Sequence, residues 1–561
     1  MPPSLPAVDP AAGGLAGPPA EAPARVCVVD PAAGGSLPAS ADSPDEAPAA
    51  NTAVPGGGGG RHRPRAVAPR RSGWRRIAGA GALAGAALLI SSVLTPAGTI
   101  ENDVGYYRAW AELAGQYGFA EVLREYPTPI MLLLWLPTLV VSTEASYRAV
   151  FVGVSLLLVA GGAATLALLP GGAGAEGSAG ADGHDAAGAE GRCAHVLPAG
   201  EGETRPGRRR TGSWSPSGAG ETAAVVLLLS VGALGPITLY RFDLLPGLLL
   251  AAGAVALARE SRARTGSTAP GRRDGRAAEA DGGTDASGAP GRRAWPWWSV
   301  CVALGAGIKL WPVVAWPLVL GDRPRRRREI LGFVATGAAL VLVSVAAAGW
   351  GRLLSPLTWQ SGRGLQVESV LATWVLLARL VAPWPWSAAL SEANSWDFTG
   401  PGIAATLVAG SIAQIALVAW IVAICVRLWR TRRADPLTVA VAAASLVGVF
   451  LVTDKVFSPQ YMMWWAPIVA VACGWGRRTG AVPAWWAPTM ILTCGLTQLS
   501  YPTTYGWLYA GDTGPWFLVG TLLMVVRNLA VVALTASACR RAWLLAAPAS
   551  PSSPEGACHE R

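Results

Sequence analysis

The chain has 561 residues, of which 52% are hydrophobic and 14% are charged, and its mean hydropathy is +0.37. Soluble domains carry about 25% charged residues, so this composition excludes an ordinary soluble domain. The net charge of +10 does not indicate nucleic-acid binding, because most arginines lie in tails or beside apolar runs. Basic flanks of this kind are typical of membrane spans, whose orientation they set by the positive-inside rule.

Cysteine and histidine are placed where they indicate little chemistry. The eight cysteines form no CxxC pair, and several lie inside apolar runs, so neither a disulfide framework nor a zinc site is predicted. The four histidines, His62, His184, His195 and His559, all lie in low-complexity or terminal segments. We therefore expect any catalytic base to be a carboxylate. No cofactor is indicated, although carboxylates are available for a divalent metal.

The N-terminal segment, residues 1–73, is rich in Pro, Ala and Gly and is predicted to be a disordered cytoplasmic tail. A transmembrane domain is expected over residues 74–544, and a second disordered tail over 545–561. The first apolar run, about 77–94, follows four arginines, so its N-terminal side should be cytoplasmic. Two low-complexity insertions, about 171–220 and 259–294, are expected to be disordered cytoplasmic loops.

Twelve further apolar runs predict an all-α polytopic membrane protein. They occupy about 129–141, 147–169, 222–239, 244–258, 296–320, 330–349, 366–382, 402–426, 437–453, 460–474, 482–499 and 515–537. All basic clusters can be cytoplasmic only if three runs are not simple crossings. We expect 129–141 to be re-entrant or to lie at the membrane surface, and 366–382 to dip into the membrane and return. The segment 296–320 should form two short helices that meet near Lys309.

The segment after the first span, which is predicted to be a loop, contains acids and aromatic residues that suit a sugar or polar head-group site. Aromatic faces stack on sugar rings, and a carboxylate can accept a hydroxyl proton. The residues concerned are Asp103, Tyr106, Tyr107, Glu125 and Tyr126. The alternative is an aromatic belt at the membrane interface, with Asp103 as a helix cap.

Two later segments place charge beside or within apolar runs. Arg241 and Asp243 lie between two runs, either as an exposed ion pair of little energetic value or as an anion contact with a neighbouring acid. Lys309 is central in a 25-residue apolar segment, next to Pro312 and after two glycines. A snorkelling lysine lies near a helix end, whereas a central one indicates function.

Two more polar segments follow. Arg363 lies between two glycines and could approach a phosphate closely, with Gln366 and Glu368 on the following helical turn; a solvated loop is the alternative. Gln460 and Tyr461 end a polar turn between two apolar runs. Together the segments predict a site in which Arg241, Lys309 and Arg363 hold a phosphate leaving group and an acid activates an acceptor hydroxyl.

The order of these segments resembles glycosyltransferase family 87, of the GT-C superfamily of membrane glycosyltransferases. The similarity covers about residues 76–540 without the insertions. It rests on Asp103 with Tyr106-Tyr107, Glu125-Tyr126-Pro127, Arg241-Phe242-Asp243, Lys309-Leu310-Trp311-Pro312, Arg363 to Ser369 and Ser458-Pro459-Gln460-Tyr461. Thr128 departs from the pattern, since many relatives have a second proline there.

The resemblance implies a GT-C helical fold with an extracytoplasmic active site and a polyprenyl-phosphate sugar donor, commonly mannose and in some relatives arabinofuranose. It implies Asp103 as general base and Glu125 as a second acid. The expected substrate-binding residues are Tyr106, Tyr107, Tyr126, Asp243, Gln366, Glu368, Gln460 and Tyr461. The expected partners are membrane lipids, the lipid-linked donor and an envelope glycolipid or glycan acceptor. A transporter or flippase of a lipid-linked sugar and a non-catalytic scaffold are the alternatives.

Overall fold

The computed structural model describes residues 72–95, 100–170, 217–267, 295–391, 395–509 and 514–548. The predictions made for residues 1–71, for most of both insertions and for the end of the C-terminal tail lie outside these residues, as do the four histidines. Helices dominate the described part of the chain. They are α1 Ser72–Leu94, α2 Glu101–Tyr117, α3 Thr128–Trp135, α4 Glu144–Ala167, α5 Gly218–Leu234, α6 Ile237–Tyr240, α7 Leu244–Ser267, α8 Trp297–Ile308, α9 Arg323–Ala348, α10 Ser355–Ser361, α11 Thr373–Arg379, α12 Ile403–Thr431, α13 Pro436–Thr453, α14 Met462–Thr479, α15 Trp486–Gln498, α16 Tyr505–Tyr509 and α17 Pro515–Leu545.

Shorter elements join these helices. Within the described ranges, five 3₁₀ segments cover Leu136–Leu139, Trp311–Val319, Trp350–Arg352, Val370–Ala372 and Pro459–Tyr461, and a π-helical turn covers Leu499–Thr503. A small antiparallel sheet contains β1 Leu365–Gln366, β2 Ser387–Leu390 and β3 Trp396–Thr399 in the order β1-β3-β2. Leu365 pairs with Phe398 and Ala388 pairs with the same residue from the other side.

Seven of the described helices are long and apolar enough to cross a membrane. They contain the runs predicted near 77–94, 147–169, 244–258, 330–349, 402–426, 437–453 and 515–537. The protein is therefore a polytopic helical membrane protein, as its composition predicts. The seven segments are Gly73–Leu94, Glu144–Ala167, Leu244–Arg264, Arg323–Ala348, Ile403–Thr431, Pro436–Thr453 and Pro515–Leu545.

Contacts between helix termini define one end of the bundle, which we call the basic end. The starts of α1 and α5 meet there, with Arg76 Nη1 3.0 Å from Glu221 Oε1. The end of α7 meets the start of α9, and the end of α12 meets the end of α17 through Arg427 Nε and the Trp543 carbonyl, 3.0 Å apart. The described arginine clusters at 75–76, 323–328, 427–433 and 540–541 belong to these termini, and the cluster at 477–478 ends α14, whose Gly474 lies against Ala219 at the start of α5.

The other end, which we call the far end, carries the irregular structure. The end of α1 meets the end of α15, where Gln498 Nε2 lies 3.4 Å from Thr95 Oγ1. The end of α13 meets β1, where the Gln366 amide donates to the Lys455 carbonyl over 3.0 Å. The small sheet and helices α2, α3, α10, α11 and α16 also belong to this end.

The apolar segment around Lys309 is broken, which confirms the prediction for 296–320. Helix α8 ends at Ile308, and Lys309 itself is extended, with φ −145° and ψ 137°. The following 3₁₀ segment leads back toward the start of α8, since Trp316 Nε1 donates to Ser299 Oγ over 3.1 Å. Both outer ends of the hairpin therefore lie at the basic end, and Lys309 lies at its tip.

Small residues allow the helices to approach closely, as is typical of membrane bundles. A Cβ added at Gly232 of α5 would lie 2.6 Å from the Ala84 Cα of α1. One added at Gly247 of α7 would lie 2.3 Å from the Met463 carbonyl of α14. These contacts fix α5 and α7, whose far ends flank the segment 235–243.

Several expected boundaries differ from the structure. Helix α7 continues to Ser267, past the expected start of the second insertion at 259, because 259–264 is rich in Arg, Glu and Ala and contains the ion pair of Glu260 with Arg264. Helix α5 begins at Gly218, inside the first expected insertion, where Ser217 caps it. The segment 101–117, expected to be a loop, is helix α2.

Candidate functional site

We infer a recess at the far end, because the short helices α5, α8, α14 and α15 are packed among longer ones. Helices α5, α8, α14 and α15 contain 17, 12, 18 and 13 residues. At 1.5 Å per residue they are about 18 to 27 Å long, less than the roughly 30 Å of a bilayer core. The depth of the recess follows from a contact of α4 with the segment after α5. The Ser155 hydroxyl of α4 donates to the Leu239 carbonyl over 3.0 Å, and Ser155 lies about 16 Å along α4 from the far-end start of that helix.

Asp103 and Arg241 form the first ion pair of the recess, with Oδ2 and Nη2 2.5 Å apart. Asp103 lies in the first turn of α2, and Arg241 follows α6 with an extended backbone. Arg241 Nη1 also donates to the Tyr107 hydroxyl over 3.2 Å. Burial raises the pKa of Asp103 above its ordinary value, and the Arg241 charge opposes this rise. Two expected site residues far apart in sequence are therefore in direct contact.

Lys309 and Asp243 form the second ion pair, with Nζ and Oδ1 2.9 Å apart. The same Oδ1 accepts a hydrogen bond of 2.8 Å from Trp464 Nε1. Asp243 is fully buried, and its Oδ2 has no hydrogen-bond partner among the described residues. Burial lowers the pKa of Lys309, and Asp243 acts in the opposite direction.

Aromatic rings surround the Lys309 ammonium. Its Nζ lies within 5.1 to 5.8 Å of the ring centres of Tyr126, Phe242, Tyr461 and Trp464. Cation–π attraction at such distances stabilises a desolvated ammonium. Tyr461 stacks on Trp464 with ring centres 3.8 Å apart. These rings also form an apolar wall of the kind on which a sugar can stack.

Glu125 is the third acid near this position. Its Oε1 accepts a hydrogen bond of 3.1 Å from the hydroxyl of Tyr106, which is partly exposed. Burial raises the pKa of Glu125, while the Tyr106 hydrogen bond and the charges of Arg352 and Lys309 lower it. The acid therefore lies within the electrostatic reach of the Lys309 ammonium.

Arg352, which the sequence did not single out, holds the segment that carries Glu125. Its Nη2 donates to the carbonyls of Val122, Leu123 and Tyr126 over 3.0, 2.7 and 2.9 Å. Leu123 has φ 43°, a left-handed conformation that a branched residue rarely adopts. The arginine is buried and follows α9 directly. It is a positioning residue for the Glu125 segment.

Glu368 is the centre of a second polar cluster. Its Oε2 accepts hydrogen bonds from Gln366 Nε2 and from the Tyr505 hydroxyl, the latter over 3.1 Å, while Oε1 is buried with no partner among the described residues. Burial raises the pKa of Glu368 to about 7. Arg527 donates to the Glu368 carbonyl over 3.0 Å.

The two clusters are joined through the turn before α14. The Phe457 amide donates to Gln366 Oε1 over 2.8 Å, and the Phe457 ring stacks on Tyr461, which faces Lys309. Gln460 is buried in the same turn. Burial raises the pKa of Asp454 to about 6, as it raises the pKa of Glu368. Arg363 is half-buried, and its positive charge acts in the opposite direction on both carboxyl groups.

Two of the alternatives and one local expectation are wrong. Ile100, not Asp103, occupies the cap position of α2. Arg241 and Asp243 do not pair with each other, because each has an oppositely charged partner from another segment. Gln366 and Glu368 do not lie on a helical turn: Gln366 is in β1, and Glu368 precedes the 3₁₀ segment at 370–372.

Residues absent from the expected site also contribute to it. Trp464 contacts Asp243 directly, and Tyr501 and Tyr505 reach the two clusters from the π-helical turn and α16. The indole of Trp464 gave only a weak signal, because tryptophans are common at membrane interfaces. Among the described residues, no three His, Cys, Asp or Glu side chains are grouped so as to hold a metal ion.

The recess thus combines cations, carboxylates and aromatic faces. It can bind an anion through Arg241, Lys309 and Arg363, and it can accept a proton at Asp103 or Glu125. Comparison of the chain with protein-family models, curated proteins and solved structures finds no match in any of the three.

Proposed function

We propose that the protein is a membrane glycosyltransferase that transfers a sugar, most simply mannose, from a polyprenyl-phosphate donor to an envelope glycolipid or glycan. The observation that carries this proposal is the pair of largely buried cations, Arg241 and Lys309, whose side chains are 17% and 14% exposed and which each contact a carboxylate in one recess. Buried charges near membrane depth are costly and indicate function. The motif resemblance to GT-C enzymes points the same way.

The cations suit a phosphate leaving group. Arg241 offers a planar set of donors that matches phosphate oxygens, and Lys309 offers a compact charge close enough to Arg241 to interact with it electrostatically. The phosphate gains negative charge as its bond to the sugar breaks, and fixed cations stabilise that charge most in the transition state. Arg363 adds a third positive charge, which acts on Lys309.

Asp103 is the proposed general base. The acceptor hydroxyl oxygen bonds to the anomeric carbon, the bond from that carbon to the phosphate oxygen breaks, and the hydroxyl proton passes to the Asp103 carboxylate. Its raised pKa makes this carboxylate a better proton acceptor than an exposed aspartate. Oδ2 of Asp243, buried and unpartnered among the described residues, can accept a hydrogen bond from a sugar hydroxyl.

An apolar groove supports a lipid-linked donor. A cavity of about 190 Å³ lies between α4 and α7 and begins at Leu245, two residues after Asp243. Its other lining residues include Leu157, Gly161, Leu248 and Ala252, and it contains no charged side chain. An isoprenoid chain in this groove would bring its phosphate to the Asp243 side of the recess.

The charge distribution supports an extracytoplasmic site. The described arginine clusters at 75–76, 323–328, 427–433, 477–478 and 540–541 lie at the basic end, and the recess lies at the far end. By the positive-inside rule the basic end is cytoplasmic. A cysteine introduced at exposed Tyr117 should react with a membrane-impermeant maleimide in intact cells, whereas one at exposed Arg430 should not; the reverse labelling would contradict this orientation.

The activity is tested with membranes that contain the full chain and labelled polyprenyl-phosphate mannose. Asp103→Asn should lower transfer by roughly 10²- to 10⁴-fold, the usual contribution of a general base, and Lys309→Ala should also be impaired. Glu112→Gln is the matched control, because Glu112 is an exposed acid of the same helix paired with Arg108. Transfer by Asp103→Asn equal to that of the wild type would make the base assignment wrong.

The same preparation separates the alternatives. The hairpin at Lys309 is a broken helix around a charged residue, and such breaks also occur in transporters. If sealed vesicles move intact donor across the membrane without cleaving it, the chain is a transporter or flippase. If labelled polyprenyl-phosphate arabinofuranose is used in preference to the mannose donor, the chain is an arabinofuranosyltransferase.

A further inference from the structure

A second charged cavity lies at the basic end, on the opposite side of the bundle from the recess. Its volume is about 220 Å³, and it opens where the start of α9 meets the end of α12. Four arginines and a tryptophan line it with one glycine: Gly321, Arg323, Arg326, Trp429, Arg430 and Arg432. No acidic residue is among them.

The arginines of this cavity differ from their neighbours in charge compensation. Arg325 and Arg328, on the same turn of α9, pair with Glu260. The four arginines that line the cavity, Arg323, Arg326, Arg430 and Arg432, make no ion pair within the described part of the chain. Like charges held close together repel each other, so an anion between them would stabilise this arrangement.

The backbone holds these charges together. A Cβ at Gly321 would lie 2.7 Å from the Leu428 carbonyl, so the close approach of the two segments requires glycine. Arg326 Nε donates to the Leu320 carbonyl over 2.8 Å, and its guanidinium lies 5.7 Å from the centre of the Trp429 ring, while its Nη2 is buried with no hydrogen-bond partner among the described residues. Helix α9, 26 residues long, begins at the cavity and adds its positive N-terminal dipole.

We propose that this cavity binds the phosphate of an anionic phospholipid headgroup. The group that four arginines would bind is a phosphate, and the position of the cavity at the ends of two membrane-spanning helices favours a lipid as the source of that phosphate. Trp429 is 57% exposed beside the cavity, between the apolar body of α12 and its basic end, where tryptophans contact headgroups. Basic pockets between transmembrane helices on the cytoplasmic side suit such headgroups. The site does not depend on the proposed transferase activity.

Native mass spectrometry of the purified full chain tests the proposal, with added phosphatidylglycerol or phosphatidylcholine. We expect preferential binding of phosphatidylglycerol, and binding roughly 10- to 30-fold weaker in Arg323→Gln/Arg432→Gln, from the loss of two headgroup cations. Both side chains are exposed and without ion pairs among the described residues, so the variant should fold. Arg327→Gln is the control, since Arg327 is exposed on the same helix but does not line the cavity.

Two outcomes would overturn the proposal. One is equal affinity for the two lipids, or equal phosphatidylglycerol binding by the double variant and the control. The other is binding of soluble glycerophosphate as tight as that of phosphatidylglycerol at the same phosphate concentration, which would show that the lipid is not the source. Thermal unfolding in detergent gives a second readout, in which phosphatidylglycerol should raise the midpoint of the wild type and Arg327→Gln but not of the double variant.

Discussion

Lys309 Nζ lies 2.9 Å from Asp243 Oδ1, although 66 positions separate the two residues in the chain. The aspartate is fully buried, and the lysine side chain is 14% exposed. The pair connects the tip of the broken helix to the start of α7. It therefore contributes to the architecture of the recess as well as to its charge.

Removing one charge of this pair should lower the stability of the protein more than removing both charges. Asp243→Asn leaves a buried ammonium without its carboxylate, and we expect a loss of about 3–5 kcal/mol of stability. Asp243→Asn/Lys309→Met removes both charges and should recover a large part of that loss. Thermal unfolding of the purified variants, arranged as a double-mutant cycle, measures the coupling. Strict additivity of the two single changes would contradict an energetic pair.

Glu368 should make stability depend on pH near neutrality. Its pKa is raised to about 7 in the folded chain from an ordinary value of 4.5. The folded state therefore binds more protons than the unfolded state between these values, and stability falls as pH rises from about 4.5 through 7. The full effect is roughly 3 kcal/mol, at 1.36 kcal/mol per pKa unit.

Glu368→Gln tests this dependence, because glutamine keeps the shape and stays neutral. The unfolding midpoint of the wild type should fall between pH 5 and pH 8, and the variant should show a flatter profile. Glu112→Gln, an exposed acid of α2, should leave the wild-type profile unchanged. A parallel fall in the wild type and in Glu368→Gln would assign the pH dependence to another group.

The sequence predicts the helices and the membership of the site better than the contacts within it. Apolar runs locate the spans because a helix that crosses lipid must be apolar over its length. The glycines and proline around Lys309 predicted the break at the tip of the hairpin. The partners of Arg241 and Asp243 could not be predicted, because they come from segments more than 60 positions away.

Glu368 and Arg352 show why local patterns were insufficient. The segment after Arg363 was expected to be helical, but Gln366 pairs with β3, whose residues lie 30 positions further on. Arg352 follows a long apolar helix and looks like an ordinary basic flank at the membrane surface. Its role appears only when the carbonyls of 119–126 converge on it.

Arg352→Ala should destabilise the segment that carries Glu125. The guanidinium is buried and donates to several carbonyls, and loss of such charge-assisted hydrogen bonds should cost at least about 3 kcal/mol. Hydrogen exchange should become faster over 119–127 than elsewhere. Arg352→Lys, which keeps the charge but not the planar donor set, should restore only a small part of the protection. Unchanged exchange over 119–127 in Arg352→Ala would show that the segment is held by other contacts.

The packing of α1 against α5 gives a prediction that distinguishes steric overpacking from the helix propensity of alanine. Gly232→Ala places a methyl group 2.6 Å from the Ala84 Cα, a backbone atom that can move only with its helix. We expect a loss of about 1–3 kcal/mol from overpacking, measured as a lower unfolding midpoint in detergent. Gly85→Ala is the matched control, because Gly85 lies on α1 beside Ala84 and an added Cβ meets nothing within 4 Å. Alanine favours a helix over glycine by up to about 1 kcal/mol, so the Gly85→Ala control should be neutral or stabilising. An equal loss of stability in both variants would show that the α1–α5 contact is looser than the structure indicates.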